Sequence, residues 1–237
     1  MPDLSRRRLL PERMDEPGLD PRQHAQALRG LARLNFFSSS AGILWPAIRR
    51  LAAERQAATL RVLDIASGAG DVAIALARRA RRTGVRLEIL GVDISPTAVS
   101  VARENAKRAG VDAMFRVVDV LSDPLPGGHD ILMTSLFLHH LEDEQAASLL
   151  RQMRSAEADL VLVSDLRRSR AGLWLAHSIP RMLTRSPIVH VDAPRSVERA
   201  FSLAEIRALC ELAGVSGYRL QHRWPCRFLL SWRRPKA

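Results

Sequence analysis

Residues 61–79, RVLDIASGAGDVAIALARR, constrain this chain more than any other stretch. Val62-Leu63-Asp64-Ile65 is a short apolar run that ends at a turn, and from Asp71 onward Val72, Leu76 and Ala80 recur at helical spacing. The reading is strand, glycine turn, helix, the unit from which α/β folds are built. Gly68 and Gly70 permit backbone angles that a side chain forbids and let a ligand approach the main chain. The free amides of the first helical turn can then donate to that ligand.

Gly68-Ala69-Gly70-Asp71-Val72-Ala73 satisfies G-x-G-x-x-G/A, the pattern of nicotinamide and flavin folds, and the pattern alone does not choose a ligand. Asp64 does. It stands four residues before Gly68 at the strand's end, where a pyrophosphate at the helix start would meet an unwanted negative charge and a cationic ligand would not. The run D-I-A-S-G-A-G resembles motif I of the class I S-adenosylmethionine (SAM) methyltransferases, D/E-x-G-x-G-x-G, with Ala66 in place of the first glycine. The resemblance implies a Rossmann-like sheet of seven strands, mostly parallel with an antiparallel last strand and helices on both faces. It also implies SAM as cofactor and S-adenosylhomocysteine (SAH) as product.

Further motifs carry the same resemblance. Residues 87–93 read as a second buried strand ending in Asp93, and Ser95-Pro96 opens a helix that stops at Gly110. By resemblance Asp93 takes the two ribose hydroxyls of SAM; its distance from Gly68 also suits a dinucleotide fold, so it does not separate the two readings. Asp119, after a third strand over 113–118, matches the position that accepts from the adenine amine. Three acids closing three successive strands are far more specific than one. The fourth strand runs from Asp130 to Ser135 and leads into Leu138-His139-His140-Leu141-Glu142-Asp143, which resembles the motif after that strand in small-molecule methyltransferases. Nucleic-acid amino-methyltransferases carry N/D-P-P-Y/F there instead. The resemblance thus assigns cofactor contact to Asp64, Ala66, Ser67, Gly68, Gly70, Asp93, Ile94, Asp119, Val120, Ser135 and Leu136. It covers residues 60–165 in motifs and extends to the C-terminus in the order of elements. Asp165-Leu166-Arg167-Arg168-Ser169 and the later AFSLAEIRAL also look like bacterial methyltransferases encoded beside polyketide synthases, with quinone-biosynthesis enzymes as more distant kin.

The 237 residues suffice for one α/β domain with appended helices. Residues 1–57 read as a charged, proline-rich arm, ordered only where it docks, followed by helices that cover the active site, and 58–237 as the SAM-binding domain. In the first helices the apolar positions are Ala27, Leu31 and Leu34, then Ile43, Leu44, Ala47, Ile48 and Leu51, with Pro46 expected in the first turn of the second helix. Asn35-Phe36-Phe37-Ser38 between them reads as core packing, with a lid over the site as the alternative. A helix from Glu144, a fifth strand over 160–165, an interrupted amphipathic insertion at 170–200 with an irregular stretch at 186–194, a capped helix from Ser202 and two closing strands complete the chain. In this family the insertion builds the acceptor pocket.

The net charge of +11 raises nucleic acid or an anionic membrane as partners, yet Lys107 and Lys236 are the only lysines among 36 basic residues and the arginines run from end to end. That spread reads as a solvated surface, and no nucleic-acid partner is expected. Cys210 and Cys226 make neither a disulfide framework nor a zinc site, and no metal ligand set is read. No apolar run nears the roughly 20 residues that span a bilayer, and Arg6-Arg7-Arg8 is followed by acids and prolines rather than the core of a signal peptide, so the expected location is the cytoplasm. Monomer and homodimer stay equally open.

Methyl transfer from a sulfonium is an in-line displacement that needs alignment above all. A phenol of pKa about 10 facing a histidine near 6.5 leaves about 5 kcal/mol of unfavourable proton transfer, so a phenol pocket gains from a base and a cation, whereas a carboxylate acceptor needs no base. His140, His139 and His190 are the candidate bases, Arg167 and Arg168 the cations, with Asp165 and Asp192 weaker. The expected function is methylation of a small hydrophobic or aromatic acceptor, phenolic, polyketide or quinone-like, at oxygen. The alternatives are C-methylation of a quinone-type substrate, a nicotinamide oxidoreductase, a basic nucleic-acid-binding member and a non-catalytic SAM-binding partner.

Overall fold

The computed structural model describes residues 2–15, 18–37 and 39–234, the side chains of Asp15, Pro21, Phe36 and Phe37 excepted. The aromatic pair Phe36-Phe37 and Ser38 therefore lie outside the described side chains. In chain order the elements are α1 (Pro21–Phe37), α2 (Ser40–Arg55), β1 (Thr59–Ile65), α3 (Asp71–Arg81), β2 (Arg86–Asp93), α4 (Pro96–Ala109), β3 (Ala113–Val117) and β4 (Ile131–Ser135). They continue with α5 (Asp143–Ser155), β5 (Leu160–Leu166), α6 (Arg170–Leu183), α7 (Pro187–Arg199), α8 (Leu203–Leu212), β6 (Arg219–Arg223) and β7 (Arg227–Arg233).

The strands form one sheet in the order β3-β2-β1-β4-β5-β7-β6. The first five are parallel, and β7 lies antiparallel between β5 and β6. Period-two alternation sends Leu60 and Val62 into one core with α2, α3 and α4, and Leu63 and Ile65 into the other with α5 and α8. Helices therefore cover both faces, as parallel strands require. The order reverses between β1 and β4, and a ligand cleft in such a sheet opens beyond the carboxyl ends of the strands at that reversal.

Local signals set most helix ends. Ser95 accepts from Ala98 N ahead of Pro96, and Gly110 closes α4 in the left-handed region. Ser202 and Glu205 form the capping box of α8. Three expectations about proline fail. Pro46 lies in the second turn of α2, not the first, and Pro180 lies inside α6, which continues to Leu183. Stretch 187–199 is a helix rather than irregular chain: Ser186 caps it and Pro187 occupies its first turn, the same pairing as Ser95-Pro96. An internal proline forfeits one hydrogen bond, and the burial of Ile43, Leu44, Trp45 and Ile48 in α2, and of Ile188, Val189 and Val197 in α7, offsets it.

Gly70 tests how tightly the central turn is packed. A Cβ built there would lie 2.7 Å from Phe115 Cζ at a φ of +72°. Gly84 has a similar φ of +78° with no atom within 4 Å. Gly84→Ala is expected to cost about 1 kcal/mol for backbone strain alone, and Gly70→Ala about 2–4 kcal/mol, because overpacking adds to strain. Chemical denaturation of both variants measures the difference; equal losses would mean that the phenyl ring yields freely.

Candidate functional site

The glycine turn is built from the sheet outward. Ser67 N donates to Val92 O at 2.9 Å, Gly70 N to Ser67 O at 2.9 Å, and Gly68 N to Asp93 Oδ2 at 2.8 Å. Asp93 Oδ1 also accepts from Ser95 N at 2.9 Å, so one carboxylate joins the turn after β1 to the start of α4. Gly68 has a φ of +54°, and the space its Cβ would fill holds no protein atom within 4 Å. The main chain is thus bare on the side facing the cleft. Ala66, at the first glycine position of the motif, adopts a φ of +55°, a conformation that explains why glycine is usual there.

A cavity of about 1040 Å³ opens beyond these strand ends. Asp64, Asp93 and Asp119 all line it, as do Ala66, Ser67, Gly68, Ile94, Val120, Ser135 and Leu136. Asp64 is 2% exposed, and burial, followed by the neighbouring carboxylates of Asp71 and Asp93, pushes its carboxyl well above the usual range. Asp119 uses its oxygens locally, accepting from Leu121 N at 3.0 Å and Ser122 Oγ at 2.9 Å. Gly70 is not among the described lining residues; it shapes the turn from behind. On the opposite side the wall is apolar, with Leu175, Ile179 and Leu183 of α6 and Val189, Ala193 and Val197 of α7.

A polar relay missed by the sequence reading supports the floor. Arg227, 1% exposed, donates to Ser40 Oγ at 2.6 Å and to Ser135 Oγ at 3.1 Å. Ser40 Oγ donates to Asn35 Oδ1 at 3.2 Å, and Asn35 Nδ2 donates to Asp71 Oδ2 at 2.9 Å. Burial lowers the Arg227 guanidinium to about 10 against the pull of Asp165 and Asp71, and burial raises Asp71. Five elements, α1, α2, α3, β4 and β7, meet in this relay, and no local motif announces it.

The histidine pair lies where the arm docks. His139, 3% exposed, places Nδ1 2.6 Å from Asp165 Oδ1, and its backbone N donates to Asp165 Oδ2 at 3.0 Å. Burial opposes the charge on Asp165, but His139 and these hydrogen bonds hold its carboxyl below the usual range. Glu12, also 3% exposed, comes from the arm to within 3.8 Å of His139 Nε2 and 3.9 Å of His140 Nε2. All three line the cavity. The arm is fastened on both sides of Glu12. Arg7 lies 3.5 Å over the Phe201 ring, pairs with Asp143 and donates to Leu141 O at 2.8 Å, while Arg13 N and Met14 N donate to Asp192 at 2.9 and 3.0 Å.

Other candidates stand apart. Arg167, Arg168, Asp165 and His190 are not among the described lining residues. Arg168 is committed to Glu205 at 2.7 Å and Ala200 O at 2.6 Å, and the His190 ring to Thr184 O at 2.7 Å. Asp192 lines the cavity but spends both oxygens on the arm. Arg167 N donates to Cys226 O, bracing β5 against the turn before β7. Physically, a residue after a strand end alternates in direction with its neighbours, and the sequence does not reveal which of two adjacent arginines or histidines turns inward.

Comparisons with known proteins agree with this geometry. Residues 62–158 match a family described as a methyltransferase domain. Over 184 residues the chain is 30% identical to the ubiquinone biosynthesis O-methyltransferase of Xanthomonas euvesicatoria pv. vesicatoria, a match that takes in 73% of this chain and 71% of that one. Matches to several other curated relatives take in only 22–30% of those relatives' length. Among solved structures, the apo form of the S-adenosylmethionine-dependent methyltransferase SibL superposes with a TM-score of 0.67 at 23% identity, covering 93% of this chain and 60% of that one. An O-methyltransferase from neocarzinostatin biosynthesis, in complex with SAH and 1,4-dihydroxy-2-naphthoic acid, gives 0.63 at 20% identity, with 92% and 60% covered. Among the described residues no helix is long and apolar enough to cross a membrane.

Proposed function

The chain belongs to the SAM-dependent methyltransferases, and from that premise we propose that it transfers a methyl group from SAM to an oxygen of a small hydroxylated aromatic acceptor. The observation that carries this reading is the single cavity with two unlike walls: three carboxylates and a bare glycine turn on one side, aliphatic side chains of α6 and α7 on the other. The relative that was solved with a dihydroxynaphthoic acid supports an aromatic acceptor. C-methylation of a quinone-type ring is the second reading, favoured by the same aliphatic wall. The work is assigned to the cytoplasm.

The residues fit the cofactor. Gly68 leaves room for a ligand against the main chain, and Ser67 Oγ is buried with no partner of its own. Asp64 would take the cationic amino-acid end, Asp93 the ribose hydroxyls, and Val120 beside Asp119 the adenine. When bound, SAM supplies the electrophilic methyl. Everything else is done by the chain. The helices α6 and α7 exclude water and press the acceptor ring toward the turn, and His140, partly exposed on the cavity wall, takes the acceptor's proton. His139, fixed by Asp165, orients its neighbour.

Titration calorimetry with SAH tests the reading. The Asp64 carboxyl is raised, so in the free protein it holds a proton below its folded pKa, whereas an ammonium ligand favours the ionised form. Binding should therefore release a proton, and affinity should climb by up to tenfold per pH unit through the raised pKa before levelling. Without any SAH affinity the proposal fails; affinity that does not climb with pH above the usual carboxylate range removes Asp64 from the cationic end. Incubation with SAM and a panel of hydroxynaphthoates, read by mass spectrometry, then separates O- from C-methyl products.

A further inference from the structure

The geometry points to a divalent-cation site of the zinc class formed by Glu12, His139 and His140. These three residues offer one ligand atom each, all within 4.8 Å of one another, on the cavity wall. Two histidine nitrogens and one carboxylate oxygen are a donor set that zinc accepts. The set is assembled by tertiary contact alone, since Glu12 arrives from the arm, and cysteine spacing could not have revealed it.

Hydrogen bonding explains why a cation belongs there. Asp165 meets three donors, the His139 ring, His139 N and Leu166 N, so it has no proton of its own to give. With Nδ1 held by Asp165, the His139 ring turns Nε2 toward Glu12. The 3.8 Å between that nitrogen and Glu12 Oε1 is too long for a hydrogen bond. A cation between them would bond to both. The buried Asp165 behind the ring is the partner that a metal-bound histidine ordinarily has. Ser196 Oγ, 2.9 Å from Glu12 Oε1, fixes the carboxylate in the same way.

Tetrahedral zinc with bonds of about 2.1 Å holds its ligand atoms about 3.4 Å apart. The three ligand atoms now lie within 4.8 Å of one another, so binding draws them together by up to about 1.4 Å, with the partly exposed His140 ring and the arm that carries Glu12 as the parts that move. The remaining position faces the cavity, where water or an acceptor oxygen would complete the shell; with the cation bound, His140 Nε2 is a ligand rather than the base, and the cation would acidify the acceptor in its place. Only the acceptor oxygen rests on the methyl-transfer reading; the metal does not.

The test is a titration of the full chain, first stripped with a chelator, with Zn²⁺ by calorimetry and with Co²⁺ by visible absorption. One equivalent is expected to bind, the cobalt form showing the bands of a low-symmetry site, and Glu12→Gln and His140→Ala are each expected to weaken binding by at least tenfold. His140→Ala is the safer variant for folding because its ring is not fully buried. Absence of stoichiometric binding to the unaltered chain, or undiminished binding in either folded variant, overturns the proposal. SAH affinity of the same unaltered sample reports separately on the methyltransferase reading.

Discussion

Asp64→Asn is expected to make the free protein more stable and its SAH binding about 100-fold weaker. The side chain keeps its shape and loses only its charge. In the free protein that charge is buried beside Asp71 and Asp93, which is why its carboxyl lies well above the usual range. The sign follows directly: a raised carboxyl contributes stability at low pH that is lost as pH rises through its folded pKa. Asparagine escapes this loss, so the gain of about 1–3 kcal/mol should be absent at acid pH and grow towards neutrality. The ligand's ammonium, by contrast, loses a buried charged partner worth about 3 kcal/mol, and 1.4 kcal/mol is a factor of ten in affinity. The pH dependence of binding should flatten in the same variant. Thermal unfolding and calorimetry read the two effects; weakening below threefold would place the cationic end of the ligand elsewhere.

Arg227→Met is expected to destabilise the protein by about 3–5 kcal/mol, the usual cost of removing one partner from a buried charge network. Methionine fills similar space, so packing changes little. Two carboxylates lose their counter-charge, because Asp165 and Asp71 are the acids that draw on this guanidinium. The Ser40 and Ser135 hydroxyls lose their donor, and with Ser40 goes the relay through Asn35 to Asp71. Protonation can replace the missing charge, and Asp71, raised by burial, takes up a proton first. The penalty should therefore shrink as pH falls. Urea denaturation at neutral and acid pH measures it, with a lowered midpoint and an unchanged slope. A loss below about 1 kcal/mol would mean that the acids do not depend on Arg227.

The sheet was legible because its signals are local. β1, β2 and β5 are short apolar runs bounded by turns, and α4 and α8 carry their caps in the sequence at Ser95 and Ser202. The acids Asp64, Asp93 and Asp119 could be found because a parallel strand ends where the cleft begins, so position along the chain stands for position in space. Proline is a poor guide where tertiary burial outweighs it, as at Pro46 and Pro180, and Ser186-Pro187 opens α7 just as Ser95-Pro96 opens α4.

Sequence by itself determined the order of strands, the helices other than α7, the turn at Gly68 and the charge beneath it, since each depends on residues within a few positions of one another. Tertiary structure alone decided that Arg227 lies under the cavity, that Asp71 and Asn35 share a relay, and that Glu12 from the arm faces His139 and His140. Those contacts join residues up to 187 positions apart. Such pairs have no spacing to read, because chain closure over that distance is set by the packing of the whole fold.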